Sequence, residues 1–207
     1  MLDLKDVTLF CVDTKQPDKA QKAIDICTHY ANFGKVVFIK DGVNINSLQD
    51  YSNFILGIMP DYIETDFVLT VHWDGFILNP QAWSDEFMLY DYIGAPWFNN
   101  PISNNPNMLV GNGGFSLRSK RLINKVKEIV TYAGNMRFHP HEDIVICVQL
   151  REFLEKENLS FAPIHLAEQF AVETKGVWTN EFGFHNFDYI NPYRDGWINP
   201  LEETNGL

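Results

Sequence analysis

FVLTVHWDGFILNP, residues Phe67 to Pro80, is the stretch on which the reading of the fold turns. The apolar and β-branched run Phe67 to Val71 ends at His72-Trp73-Asp74-Gly75. The apolar pattern then resumes as Phe76-Ile77-Leu78 and closes at Asn79-Pro80. A run of this length and composition predicts a buried strand. Such a strand delivers an imidazole and a carboxylate at its carboxyl end, which in open α/β sheets is the edge where ligands bind. The competing reading is a buried strand whose polar end simply meets solvent.

Working back towards the amino terminus, Val7 to Val12 predicts a first buried strand ending in Asp13-Thr14. Pro17 to Tyr30 has helical spacing, with Ala20, Ala23, Ile24 and Cys27 on one face. Val36 to Ile39 predicts a second strand ending in Lys40-Asp41-Gly42, and Leu48 to Met59 a helix stopped by Pro60. This βαβαβ order implies an α/β fold, a mostly parallel central sheet flanked by helices, in one domain over residues 1–207. Downstream, Trp83 to Tyr90 predicts a short helix, and Tyr92 to Trp97 a strand running into a loop. Asn99 to Asn107, rich in Asn and Pro, predicts a flexible surface loop. The cluster Gly111-Asn112-Gly113-Gly114 precedes a strand, Phe115 to Arg118, and a helix, Ser119 to Tyr132. His141-Glu142-Asp143 opens a second helix, Ile144 to Glu157. From Phe161 onward the pattern predicts short strands and aromatic-rich loops, including Phe182-Gly183-Phe184-His185.

Composition narrows the function classes. A net charge of -11 argues against a surface built for nucleic-acid backbone, so no nucleic-acid partner is expected. A small anion held by a metal, backbone N–H groups or a few basic residues remains compatible. The three cysteines, Cys11, Cys27 and Cys147, lack zinc-ligand spacing and sit in apolar stretches, which suits buried thiols in a reducing compartment. No signal peptide opens the chain and no apolar run is long enough to span a bilayer. The expectation is a cytoplasmic protein, any membrane association being peripheral.

Several clusters can carry chemistry. Successive parallel strands bring Asp13-Thr14, Asp41 and His72-Trp73-Asp74 to one edge. Carboxylates there can bond a nucleobase or ribose, and a carboxylate with a histidine can hold a divalent cation. Singly, Asp13 and Asp41 are equally explained as turn or helix-capping residues. The Gly111 to Gly114 cluster has neither dinucleotide nor P-loop spacing; it is a hairpin turn or a place of close backbone approach to a ligand. Glu142-Asp143 at a helix start either complements the helix dipole or supplies a general base. His185 is a structural histidine or a late metal ligand.

Taken in order, VTLFCVDT, YIETDFVLTVHWDGFILNP, YDYIGAPW, VGNGGFSLRS, HEDIVIC and FGFH resemble a nucleotide-sugar glycosyltransferase of the GT-A type, and more closely the DUF5672 family. The resemblance implies a GT-A-like fold. It also implies transfer of a sugar from a nucleoside-diphosphate sugar to a glycan or other hydroxyl acceptor, with inversion. GT-A enzymes usually hold a divalent cation through a D-x-D motif. Here that triplet is His72-Trp73-Asp74, so the resemblance implies Mn²⁺ or Mg²⁺ on Asp74, with His185 as the late ligand. It places the nucleotide at Asp13, Thr14, Asp41, His72 and Trp73. The donor sugar and acceptor fall at Trp97, Asn112, Gly113 and Gly114, and the base is Asp143 or, close behind it, Glu142. UDP is the expected nucleotide, since Asp41 is placed to bond a uracil imide. Two alternatives stand beside this: a nucleotide- or sugar-binding module without catalysis, and a glycosyltransferase acting on modified DNA through a basic strip at Arg118, Lys120, Arg121, Lys125 and Lys127. That strip is equally a solvated helix face.

Overall fold

The computed structural model describes residues 1–98, 108–134, 137–174, 177–193 and 196, so the loop expected over Asn99 to Asn107 lies outside the described residues. Strand β1 (Leu2–Val12) leads into helix α1 (Pro17–Tyr30), which starts with proline in its first turn, where a missing N–H costs nothing. Strand β2 (Ala31–Ile39) follows without a loop and starts earlier than expected. Its first half alternates buried Ala31 and Phe33 with exposed Asn32 and Gly34, a weak period-2 signal that its neighbours β1 and α1 complete. Helix α2 (Leu48–Gly57) opens on a capping box: the Ser47 hydroxyl accepts from the Asp50 N–H, and the Asp50 carboxylate accepts from the Ser47 N–H. Strand β3 (Phe67–Val71) is the apolar run of the opening segment.

Strands β4 (Tyr92–Gly94) and β5 (Phe115–Ser119) complete a sheet of order β2-β1-β3-β5-β4. Strand β1 pairs in parallel with β2 and β3, whereas β5 runs antiparallel to both β3 and β4. Only β5 is therefore reversed, and the sheet is mostly parallel as the sequence implies. Leu9, Leu69 and Phe115 face one apolar cluster, closed by α1 and by α6 (Ile164–Phe170). Phe10 and Val68 face another, closed by α2 and α3 (Lys120–Tyr132).

Three expectations are corrected. Within the helix expected over Trp83 to Tyr90, Asp85–Leu89 forms a 3-10 turn, preceded by another at Pro80–Ala82, because Ser84 and Asn79 each turn their side chain onto a backbone N–H two residues on. The helix expected over Ile144 to Glu157 is broken into α4 (Glu142–Ile144), a π turn (Val145–Gln149) and α5 (Arg151–Lys156). The tail expected as strands and loops contains α6, whose Leu166, Ala167 and Phe170 share a buried face, before the short parallel pair β6 (Ala171–Val172) and β7 (Gly183–Phe184). Among the described residues no helix is long and apolar enough to cross a membrane.

Candidate functional site

β3 ends by turning: the Gly75 N–H donates to the His72 carbonyl at 3.2 Å, so His72 and Asp74 flank a tight bend. β7 arrives beside it, with the Asn186 N–H donating to the Asp74 carbonyl at 2.8 Å and the His185 N–H to the Val172 carbonyl at 3.0 Å. One ligand atom from each of His72, Asp74 and His185 then lies within 4.8 Å of the other two. A set this close would be able to hold one divalent ion.

The donors suit a divalent cation. His185 Nδ1 is 3.0 Å from Glu173 Oε1, and its Nε2 is 3.6 Å from Asp74 Oδ1. A carboxylate behind a ligating histidine fixes the ring and its tautomer. Gly114 makes the room: a Cβ there would lie 2.0 Å from His185 Nε2. Burial, and then the neighbouring His185, lower the His72 imidazole to about 4, so it is neutral near pH 7 and keeps a lone pair. Its Nε2 lies 2.6 Å from the Tyr51 hydroxyl. For His185 burial acts downward, but the hydrogen bond and charge of Glu173, with Asp74, outweigh it and raise the ring above its usual value.

The second half of the site is built by β5 and α4. Asn112 has φ 67, a left-handed conformation asparagine tolerates, and its Oδ1 accepts the Gly114 N–H at 3.0 Å. This turn sets the Gly113 N–H on Asp143 Oδ2 at 3.1 Å, while Asp143 Oδ1 accepts the Ile144 N–H at 2.8 Å. Burial, and then the adjoining Glu142 carboxylate, push Asp143 up to about 7. Glu142 is bound differently: Arg118 Nη2 donates to its Oε1 at 2.7 Å, and the two side chains are 0% and 6% exposed. Burial presses Glu142 upward, but the charge and hydrogen bond of Arg118 outweigh this and hold it below the usual carboxylate range.

The remaining expected residues occupy the same edge with local partners. Asp13 Oδ1 accepts the N–H groups of Lys15 and Gln16, at 2.8 and 2.7 Å, leading the chain into α1. Thr14 is half-buried and Asp41 exposed in the bend after β2. Trp73 carries the Lys19 ammonium over its ring at 4.4 Å and packs edge-on against Phe187. Trp97 is half-buried against the cluster around Tyr92 and Val145. Glu173, Tyr51 and the pairing role of Arg118 were not anticipated. Only the β6–β7 pairing brings Glu173 to His185, and no local pattern announces it. A cavity of about 700 Å³ lies at the opposite, amino end of β3, lined by Asp66, Asp91 and Arg121. Its buried acid, Asp91, is already bonded by Ser119, Ser160 and Arg121. Chemistry, more than volume, therefore places the site at the His72-Asp74-His185 edge.

A mostly parallel sheet with a reversed strand next to β3, and a histidine–carboxylate group at the end of β3, defines a GT-A-like fold. The chain is similar to the crystal structure of a glycosyltransferase involved in the glycosylation of the major capsid of PBCV-1, with 14% identity, TM-score 0.57, and coverage of 92% of this chain and 97% of that one. A galactosyltransferase, LgtC, in complex with donor and acceptor sugar analogues aligns at 12% identity over 90% of this chain and 87% of its own, with TM-score 0.46. By sequence, the chain belongs to the DUF5672 family, described as a protein of unknown function, which matches residues 34–190. No curated protein matches it.

Proposed function

We propose that the chain is a glycosyltransferase that moves a sugar from a nucleoside-diphosphate sugar to a hydroxyl acceptor, with inversion and metal assistance. One observation carries this: Asp74 and two histidines converge at the carboxyl edge of β3, next to a glycine turn that holds Asp143. Two imidazoles with one carboxylate favour Mn²⁺ over Mg²⁺, which prefers an all-oxygen shell. Asp74, His185 and His72 would hold the ion, which would supply positive charge for a departing diphosphate on an acidic protein. Asp143 accepts the acceptor hydroxyl's proton as that oxygen attacks the anomeric carbon and the bond to the diphosphate breaks. Asp13, Thr14 and Asp41 take the nucleoside, with UDP as the first candidate. Trp97 and the backbone of Asn112, Gly113 and Gly114 border the sugar and acceptor.

The DNA reading loses its footing. Arg118 is buried, Arg121 pairs with the buried Asp91, and Lys125 and Lys127 pair with acids on the surface. The binding-module reading is separated by calorimetry with UDP and GDP, with and without Mn²⁺, followed by a donor hydrolysis assay: metal-dependent binding with hydrolysis supports the enzyme, and binding without any turnover supports the module. One nucleotide should bind at least ~10-fold tighter with the ion, as for a group that bridges protein and ligand. Binding of neither nucleotide in either condition contradicts the proposed function.

A further inference from the structure

The acidic pair at the start of α4 offers two carboxylates, one residue apart, for one proton-accepting role. Their surroundings divide them. Glu142 is buried and turned onto Arg118, whose Nε also donates to Ser116 Oγ at 3.0 Å and whose guanidinium stands 5.4 Å from the Tyr92 ring centre. Asp143 remains partly accessible, its Oδ2 accepting the Gly113 N–H and its Oδ1 the Ile144 N–H.

All three charged side chains meet at Gly113. Its N–H is bonded by Asp143, and its carbonyl faces Arg118 Nη2 at 3.5 Å. Its α-carbon rests on the Glu142 carboxylate, where a Cβ would lie 2.0 Å from Oε1. Arg118 sits on β5 in register with Val68 of β3 and Tyr92 of β4, so the pair is anchored in the middle of the sheet. A carboxylate locked this way cannot swing to an acceptor without stranding a buried guanidinium, which is strongly unfavourable.

We infer that Glu142 with Arg118 is a positioning pair, carrying no proton in the reaction, that fixes the Gly113 turn and through it the carboxylate of Asp143. This rests on the proposed glycosyl transfer and deepens it by giving the two acids separate roles. The groups whose charge reaches Asp143 are Glu142 and Arg118 beside it and Glu173 on the facing segment. His185, Tyr51, Tyr92 and Cys147 lie within its field as well.

The test compares Glu142→Gln with Asp143→Asn in the full chain, using Mn²⁺-dependent hydrolysis of UDP-glucose and UDP-galactose across pH. Glutamine still offers Arg118 a carbonyl oxygen. Glu142→Gln should keep turnover within about 10-fold of the parent. The acidic limb of its kcat/KM profile should move to lower pH, because a negative charge beside Asp143 is gone. Asp143→Asn should lose about 10²–10⁴-fold in kcat. A Glu142→Gln protein that is folded yet as inactive as Asp143→Asn overturns the assignment, as does an acidic limb that does not move. If the parent hydrolyses neither donor, the transfer reading suffers and the pair is judged on carboxyl ¹³C titration of the metal-free protein. There, Asp143 should titrate between pH 5 and 9 with Glu142 silent; a titrating Glu142 overturns the inference.

Discussion

As the proposed base, Asp143 sets a functional demand against stability. Burial and the neighbouring Glu142 push its carboxyl from the ordinary 3.8 up to about 7. Between about pH 4 and pH 7 the folded chain therefore keeps a proton that the unfolded chain has lost, and this group's contribution to stability falls as pH rises through that window. In the proposed transfer the ionised carboxylate of Asp143 is the form that accepts a proton, so activity should rise over the range where stability declines. Asparagine cannot ionise. Asp143→Asn, without added metal, should melt at higher temperature than the parent at pH 8, with a smaller gap at pH 5. Thermal unfolding at the two pH values checks this, and an equal gap at both would mean that the carboxyl is not held up by its surroundings. Gly114 works on the same scale, leaving the space beside His185 Nε2 that any side chain would fill.

At the scale of elements, long periodic segments could be read from the sequence and short ones could not. β3, α1 and α2 each carry a full period or an apolar run, and the structure places them as that pattern implies. β6 and β7 have two residues each, too few for any periodicity, yet their parallel pairing brings His185 to Asp74 and sets Glu173 behind it. For His185 the sequence left a structural and a ligand role open and family resemblance favoured the ligand, while Glu173 was reached by nothing in the sequence. The Glu142-Asp143 pair was visible, but its division of labour was not, since Arg118 lies on another element and resembles part of a basic helix face. Glu173→Gln gives a direct measure of what β6 contributes. It keeps the side chain's size while removing the charge behind the imidazole, so Mn²⁺ affinity should fall by about 10–100-fold. Direct Mn²⁺ titration followed by electron paramagnetic resonance reads this without an activity assay, and an unchanged affinity would exclude Glu173 from the ion site.

At the scale of the molecule, the proposed transfer requires an acidic chain to receive an anionic donor. With a net charge of -11, the protein's average field repels a diphosphate, so countercharge must be local. Among the described residues, the group placed to hold a cation that would supply it is at the edge where β3 and β7 bring two imidazoles to a carboxylate. The same sheet carries β5 in the reverse direction, so the glycine turn preceding that strand opens onto the same edge. Donor, ion and base are thus expected side by side on one rim of the sheet. The most direct measurement is release of free sugar from a panel of nucleoside-diphosphate sugars by the purified chain, with Mn²⁺ and with chelator. The account predicts turnover of at least one donor that requires the ion and is lost in Asp74→Ala. Turnover that survives both chelator and Asp74→Ala, or none across the panel from a chain that still binds Mn²⁺ and nucleotide, would contradict it.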